Sequence, residues 1–348
     1  MSVQSFHSPS DRPSPGREHE ATTPALSIVV PTRNRPQLLE RTLAGLRAQS
    51  FSSFEVVVID DGSNEATRAH YAAIWQILDQ RFVLLFNGEI DAHGIGPSAS
   101  RNVGIAAASG QIIAFCDDDD NWTNNDHLSM MMAAFSANPA LSVYIANQIA
   151  VTTAGIVAKE SWLPGLEEIV RQRPRCNDHG YMVTRDDLAN CGAFAQLNIL
   201  TIKKDLIDSM GGFWTRTPYE GDRDFFWRAV DLADQICFNP LIVAQHNIPD
   251  QTRQDNVSTR VTEIERWILS TFVSQHISIN VRHHAIKKLC IEYEGDIFRR
   301  LSLHFSNCDE HELGYQYSRR ALAARPSWKW SVYTLILACR ALVSRLAN

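Results

Sequence analysis

The sequence predicts an α/β protein: a Rossmann-like, mostly parallel sheet flanked by helices, with a helical C-terminal extension. From residue 26 to 116, apolar strand-like runs alternate with helical segments, which is typical of parallel sheets with right-handed crossovers. The loops after three strands, at 31–34, 60–63 and 117–120, are polar, and the last two are rich in carboxylates. Open α/β sheets bind ligands at the carboxyl ends of their strands, so we expect a binding site there.

The amino-acid composition and the charge exclude some classes of protein. The 348 residues are 45% hydrophobic and 21% charged, with a formal charge of −6, which is ordinary for a globular protein and gives no basic surface for nucleic acid. The seven cysteines form no C-x-x-C pair, which favours reduced thiols over a disulfide framework. The N-terminus lacks the apolar core of a signal peptide, and no apolar run reaches the length of a membrane span, so we expect a cytoplasmic protein.

Apolar periodicity predicts the elements in order. Residues 1–24 are rich in Ser, Pro, Arg and Glu, and we expect a disordered tail. The first half then gives strands at 26–30, 54–59, 82–86 and 112–116, each followed or preceded by a helix. The second half gives helices and strands at 127–135, 141–149, 197–202, 203–210, 220–228 and 236–245. Residues 155–195 cannot be assigned, and the pattern is helical from Thr262, with a last apolar helix at 328–346.

Four consecutive carboxylates, Asp117 to Asp120, follow the strand at 112–116. Adjacent acids repel one another and cost stability unless a positive charge lies among them. Oxygen ligands on a tight turn suit Mg²⁺ or Mn²⁺, especially where the ion also holds substrate phosphates. A solvated acidic loop is the alternative, but the position at the end of a buried strand favours a metal site.

Four motifs carry a resemblance to a known family. They are SIVVPTRNR at 27–35, VVVIDDGS at 56–63, SRNVG at 100–104 and FCDDDDNW at 115–122. Together they resemble glycosyltransferase family two, whose members are inverting enzymes that use nucleotide-sugars and have the GT-A fold. The resemblance covers roughly residues 26–250, and it implies a GT-A domain at 25–255, with a nucleotide-sugar half at 25–122 and an acceptor half at 123–255, before a helical extension at 256–348.

The resemblance implies roles for individual residues. One carboxylate of the Asp-Asp-Gly-Ser motif contacts the base, usually uracil, and the Arg-Asn pair lies near the sugar-diphosphate. In the Asp-x-Asp motif one acid, Asp117 or Asp118, approaches the ribose, and Asp119 binds the metal, Mn²⁺ or Mg²⁺. The residues assigned to the nucleotide-sugar are Pro31, Thr32, Arg33, Asp60, Asp61, Arg101, Asn102, Asp117 and Asp118.

Asp222 matches the catalytic base of the family, which lies six residues before an Arg, here Arg228. The family's preceding Glu is replaced by Gly221, and Glu220 lies one position further back. Without the resemblance, an acidic helix start stabilised by the helix dipole would be the simpler interpretation.

Two further assignments concern the metal and the acceptor. His246 matches a position where some family members bring a His to the metal or diphosphate, although a His at a strand end is often structural. Trp214 and Glu220 are assigned to the acceptor. We assign the other aromatics near these motifs, Trp122, Phe225, Phe226 and Trp227, to the core.

The implied activity is transfer from a UDP-sugar, with GDP or TDP as lesser alternatives, to a saccharide or lipid-linked saccharide. Such an enzyme would serve cell-surface polysaccharide or glycoconjugate synthesis. A sugar-nucleotide nucleotidyltransferase is a rival, but the N-terminal loop lacks its Gly-rich signature. A second alternative is a catalytically inactive binding domain. Such a domain is expected to have lost the acids, and all of them are present. The helix at 328–346 is compatible with peripheral membrane contact, with a cap on the catalytic domain or with a homodimer.

Overall fold

The computed structural model describes residues 4–6, 23–178, 180–249 and 257–347. The chain divides into two compact units, Met1–Asp250 and Gln251–Asn348. The first unit is built around one sheet, and the second is entirely helical in its described part. No helix in the described residues is long and apolar enough to cross a membrane.

Eleven described strands form a single sheet. In chain order they are β1 (Gln4–Phe6), β2 (Leu26–Thr32), β3 (Phe54–Asp60), β4 (Phe82–Phe86), β5 (Ile112–Phe115), β6 (Asn121–Trp122), β7 (Leu141–Val151), β8 (Val157–Lys159), β9 (Tyr181–Val183), β10 (Leu200–Lys203) and β11 (Gln235–Asn247).

Helices of the first unit connect these strands. They are α1 (Pro36–Arg47), α2 (Glu65–Trp75), α3 (Pro97–Ala107), α4 (His127–Ala137), α5 (Pro164–Val170), α6 (Arg185–Asn190), α7 (Lys204–Ser209) and α8 (Gly221–Leu232), together with a 3₁₀ turn at Leu197–Ile199. The second unit contains α9 (Val257–Arg260), α10 (Glu263–Asn280), α11 (His284–Asn307), α12 (His311–Ala324) and α13 (Trp328–Ala347).

The centre of the sheet is parallel, in the order β4-β3-β2-β5. Beyond β5 the sheet continues through β10, which is antiparallel to β5 and β7, and then through β11, which is parallel to β7. All seven residues of β2 are buried, as expected for a strand covered on both faces. The parallel centre confirms the predicted fold class and brings the loops after β2, β3 and β5 to one edge.

The second half of the first unit departs more from the sequence predictions. The unassigned segment 155–195 folds as short elements, β8, α5, β9 and α6. The strand predicted at 197–202 is a 3₁₀ turn followed by β10. Of the tail for which we predicted disorder, β1 pairs antiparallel with β4, and most of the rest lies outside the described residues.

Candidate functional site

The four consecutive carboxylates lie in the loop between β5 and β6. Asp118 is buried and accepts a hydrogen bond from the Thr32 hydroxyl, with 2.8 Å between Oγ1 and Oδ2. Arg35 Nη1 lies 3.2 Å from Asp118 Oδ1 and 3.1 Å from Asp119 Oδ2. The end of β2 gives the acid loop a hydroxyl and the loop after β2 gives it a guanidinium, because β2 and β5 are parallel neighbours.

This acid loop carries more negative charge than its neighbours balance. Burial raises the pKa of Asp118 to about 6, although Arg35 acts in the opposite direction. Burial, followed by the adjacent carboxylates, raises the pKa of Asp119 well above its usual range. A further cation beside these groups would favour their ionised forms, so the loop is electrostatically suited to bind one.

Asp120 holds the acid loop against the end of β11. Its side chain is 2% exposed, and His246 Nδ1 lies 3.0 Å from Oδ2. The main-chain N–H of Asn247 donates to Oδ1 at 2.7 Å, and the Asn198 side-chain amide also donates to the carboxylate. Because Asp120 engages Nδ1 of His246, Nε2 is the ring nitrogen that a ligand would meet.

The residues present fit a divalent cation that a substrate helps to hold. Asp119 offers carboxylate oxygens and His246 an imidazole nitrogen, and Asn247 Nδ2 donates to the Asp119 carbonyl at 2.6 Å, which links their two segments. Within the described ranges, no three or more His, Cys, Asp or Glu side chains form a metal cluster. At nucleotide sites, Mg²⁺ is typically bound by only a few protein ligands, and phosphate oxygens occupy the remaining positions.

Arg101 and Asn102 are neighbours on α3 but bind different partners. Arg101 pairs with the partly exposed Asp117 carboxylate, and its guanidinium carbon lies 5.6 Å from the centre of the Phe213 ring. Asn102 uses its amide on the main chain of Phe213: Nδ2 donates to the carbonyl at 2.9 Å, and Oδ1 accepts from the N–H at 2.8 Å. Arg101 thus faces the acid loop, whereas Asn102 fixes the loop before α8. Donor contact by either residue stays a prediction.

Both acids at the end of β3 are engaged with neighbouring segments. Asp60 is fully buried and accepts from Arg68 Nε at 2.9 Å, and burial raises its pKa. Asp61 accepts from the main-chain N–H groups of Ile95 and Gly96, each at 2.9 Å. The structure thus gives both carboxylates protein partners, and their contact with a base stays a prediction.

Pro31, near the end of β2, and Arg33, in the loop after it, complete the predicted donor set. Pro31 is buried within β2, opposite Ile59 of β3. Arg33 is half-buried, and its Nη2 donates to the Ala92 carbonyl at 2.9 Å. Arg33 and Asp61 therefore both contact the loop between β4 and α3, so this loop borders the predicted base-binding region.

Asp222 is half-buried in the first turn of α8. Burial raises its pKa, and the Arg101 guanidinium and the Asp117 carboxylate are close enough to shift it in opposite directions. Its neighbour Gly221 lies against Ser98 of α3, the helix whose Arg101 pairs with Asp117, so the start of α8 adjoins the acid loop. A carboxylate with a raised pKa, close to the Arg101 guanidinium, has the environment expected of a general base.

The start of α8 explains the departure from the family's Glu-Asp motif. Glu220 has a left-handed backbone conformation, with φ +55°, and its side chain pairs with Arg223 at 3.4 Å. An added Cβ on Gly221 would come too close only to the rotatable Ser98 Oγ on α3, which shows that the starts of these two helices are neighbours. Arg228 pairs with the buried Asp224 and donates to the Met210 and Gly212 carbonyls. Arg228 therefore anchors the helix instead of facing the site.

Aromatic side chains border the site on the side of His246 and α8. Trp162 lies edge-on to His246, with 5.6 Å between ring centres, and its Nε1 donates to the Phe194 carbonyl at 2.9 Å. Lys159 Nζ lies 4.1 Å from the Trp162 ring centre. Trp214, which we assigned to the acceptor, is half-buried in the loop before α8. Acceptor contact by Trp214 or Glu220 stays a prediction.

Sequence reasoning missed several residues of this site. Arg35 lies in the first motif, two residues after Arg33, so its position in the sequence was an available signal. Asp120 belongs to the predicted acid run, but its contact with His246 was not predicted. Asn198 and Trp162 had no such signal, because neither lies in a recognised motif. Their roles depend on tertiary packing: the turn before β10 brings Asn198 to Asp117 and Asp120, and the segment before α5 brings Trp162 to His246.

Solved structures show what class of fold this is. S. aureus TarS in complex with UDP is similar with a TM-score of 0.58 and 17% identity, over 86% of this chain and 81% of that one. A mannosyltransferase from Pyrobaculum calidifontis, in complex with GDP-Man and Mn²⁺, gives a TM-score of 0.56 and 17% identity, over 92% and 81% of the two chains. The first unit has the GT-A fold of these glycosyltransferases, as the resemblance implied.

Sequence comparison gives the family. Residues 27–184 match the sequence model of Glycosyl transferase family 2, so this part of the chain is a glycosyltransferase family 2 domain, and the resemblance read from the four motifs is confirmed. A GalNAc(5)-diNAcBac-PP-undecaprenol beta-1,3-glucosyltransferase of Campylobacter jejuni is 31% identical over 145 residues, which are 42% of this chain and 44% of that enzyme. An Escherichia coli UDP-Glc:alpha-D-GlcNAc-diphosphoundecaprenol beta-1,3-glucosyltransferase is 31% identical over 110 residues, 31% and 41% of the two chains. The chain thus spans less than half the length of these relatives.

Proposed function

We propose that this protein is an inverting glycosyltransferase that moves a sugar from a nucleotide-sugar, most readily a UDP-sugar, to a saccharide or lipid-linked saccharide. One observation carries the proposal: Asp222, whose pKa burial raises, begins α8 next to α3, the helix whose Arg101 pairs with Asp117 of the acid loop. A prospective base and a prospective diphosphate site are thereby brought together. The family match and the UDP-bound TarS structure support this function.

The donor is proposed to lie along the ends of β2, β3 and β5. Thr32 and Asp118 are hydrogen-bonded to each other and border the position of the ribose, and the nucleobase is proposed to lie near Asp61 and Arg33. Asp119 and His246 would hold Mn²⁺ or Mg²⁺ together with the diphosphate. When bound, such an ion supplies positive charge to the departing nucleoside diphosphate.

The chemistry assigned to the chain's own residues is a single displacement. Asp222 accepts the proton of an acceptor hydroxyl as that oxygen bonds to the anomeric carbon. The bond from the anomeric carbon to the diphosphate oxygen breaks at the same time, and Arg101 stabilises the negative charge that the diphosphate gains. Attack on the face opposite the leaving group inverts the configuration, and no sugar–enzyme bond is formed.

The acceptor is proposed to approach from the side of Trp214 and Glu220, next to Asp222. Two relatives are named for acting on saccharides linked through diphosphate to undecaprenol, which supports a lipid-linked acceptor here. A role in cell-surface polysaccharide or glycoconjugate synthesis follows from such an acceptor. A cytoplasmic location next to the membrane and a homodimer are also part of the proposal.

The first test is calorimetric titration of UDP into the protein with and without Mn²⁺. We expect metal-dependent binding that Asp119→Ala removes, that Asp120→Asn weakens about tenfold to a hundredfold, and that the control Asp208→Ala, an exposed acid on α7, leaves intact. If UDP, GDP and TDP all fail to bind with metal present, the donor site is wrong.

The same experiment is continued with Asp222→Asn. Because this residue is assigned to proton transfer and not to the donor, UDP binding should persist while the transfer rate falls about 10²- to 10⁴-fold. Near-normal transfer by this variant would contradict the proposed base. Product analysis separates the rival chemistry, since sugar transfer releases UDP, whereas a nucleotidyltransferase releases pyrophosphate.

A further inference from the structure

The last helix, α13, has two apolar faces, of which only one is packed within its unit. On the packed face, Trp330 contacts the cluster formed by Ile297, Phe298, Leu301 and Ala321, and the Thr334 and Ser318 hydroxyls lie 2.7 Å apart. Leu337 and Ala341 continue this face and are 0% and 3% exposed. This face therefore belongs to the core of the helical unit, in which α10 packs on α11, α11 on α12 and α12 on α13.

The second apolar face of α13 is exposed over its whole length. At 3.6 residues per turn, the positions of its members fall on one side of a helix. They are Val332, Leu335, Ile336, Leu342, Val343 and Leu346. Trp328 begins the same face and is 74% exposed, while Leu335 and Leu346 are 68% and 79% exposed. A continuous apolar stripe of this kind marks an interaction surface.

The charges indicate what this stripe contacts. In α13 the charged residues are Lys329, Arg340 and Arg345, and no acid is present. The unit Gln251–Asn348 contains fourteen Lys and Arg against nine Asp and Glu, a formal charge of +5 in a chain whose total is −6. Basic residues beside an apolar helix face, with Trp at one end, are typical of a helix that lies in the interface of an anionic membrane.

We propose that the exposed face of α13 docks on an anionic lipid surface, with its apolar side chains at the level of the lipid headgroups. A second copy of this chain is the less suitable occupant, because a symmetric contact through the stripe would bring Lys329 and Arg340 of both copies together. This inference rests on the exposure and charge of the helical unit, not on the proposed transfer reaction.

The test is flotation of the full chain with vesicles. We expect the protein to float with vesicles of phosphatidylglycerol and phosphatidylcholine, and to bind more weakly to phosphatidylcholine alone or at high salt, because the basic residues are then without anionic partners or are screened. Leu335→Glu should weaken binding about tenfold or more, since it places a charge in the apolar stripe. Lys329→Glu and Arg340→Glu should each weaken binding at least about fivefold.

The matched control is Ile279→Glu, which changes an apolar residue on α10 that is even more exposed than Leu335 and lies outside the stripe. It should float like the unaltered protein, and circular dichroism should show that both variants keep their helices.

If the full chain does not float with anionic vesicles, or if Leu335→Glu binds as well as Ile279→Glu, the proposal is wrong. A dimer in light scattering that Leu335→Glu dissociates would then identify a second copy as the occupant. UDP titration of Leu335→Glu is expected to be unchanged, which separates this test from that of the transfer reaction.

Discussion

His127, at the start of α4, is a buried histidine that has no polar partner for either ring nitrogen among the described residues. Its ring lies 4.7 Å from that of Trp122, edge to face, and next to Tyr144. Burial lowers its pKa to about 3. The folded protein therefore keeps this imidazole neutral. The free-energy cost of protonating it affects stability only at acidic pH.

That cost gives a pH dependence of stability. Below the usual pKa of about 6.5, the unfolded chain takes up a proton at His127 that the folded protein does not bind until about pH 3. Stability should therefore fall as the pH falls through this window, by about 2 kcal/mol at pH 5. In His127→Phe this contribution is absent, so the free energy of unfolding should fall less between pH 7 and pH 5.

Urea unfolding of both proteins at the two pH values measures the difference. His93→Phe is the control, because His93 is exposed in the loop before α3. Equal acid sensitivity of His127→Phe and the unaltered protein would show that His127 is not kept neutral by burial.

At this scale the sequence predicted part of the site. Motif residues at the ends of β2 and β5, such as Thr32 and Asp118, come together because parallel strands end at a common edge. The sequence did not show which of these side chains are already engaged by the protein. Asn102 and Asp61 bind main-chain groups of loops whose paths depend on tertiary packing, and no local pattern encodes such partners.

At the scale of elements, α3 lies unusually close to the sheet. A Cβ on Gly104 would be 2.5 Å from Ile59 Cδ1 and 2.5 Å from Val29 Cγ1, so glycine allows the helix to contact β2 and β3 directly. This contact also sets the position of Arg101, one turn earlier on the same helix.

A larger residue at this position should force α3 away from the sheet. We expect Gly104→Val to lower the free energy of unfolding by about 1–3 kcal/mol, the usual cost of overpacking. Ala106→Val, at an exposed position of the same helix, should change it by about 0.5 kcal/mol or less, which reports helix propensity alone. Denaturant unfolding of the two variants provides the measurement, and equal effects would refute the close contact.

The elements before Trp122 were easier to predict than those after it. β2, β3, β4 and β5 are short buried runs whose bounds in the structure agree with the prediction to within one or two residues. The elements between 155 and 195 are three to seven residues long, too short for periodicity to identify. β11 pairs with β7 through register shifts that interrupt the alternation of its side chains.

At the scale of the whole molecule, every predicted site residue, from Pro31 to His246, lies in the first compact unit. This unit has its own sheet and core, whereas the helical unit carries a formal charge of +5 in a chain whose total is −6. We expect a chain ending at Asp250 to bind UDP with Mn²⁺ within about threefold of the full chain, and to lose flotation with anionic vesicles.

Calorimetry and flotation on the truncated chain check this division. A cooperative thermal unfolding transition is the control that the shortened chain is folded. Loss of UDP binding by a folded Met1–Asp250 would show that the helical unit contributes to the donor site, contrary to the expectation.

Asp222 and His246 lie on consecutive elements, and this has a consequence for how the protein can change. The chain runs away from the site along α8, turns at Ala233–Asp234 and returns along β11 to His246. The proposed base and the proposed metal ligand thus lie at the two ends of one chain segment that leaves the site and returns to it. An insertion or deletion in α8 or β11 would displace one end relative to the other. The length of the path from Asp222 to His246 is therefore constrained, and β9, which pairs with β11, holds the returning strand in place.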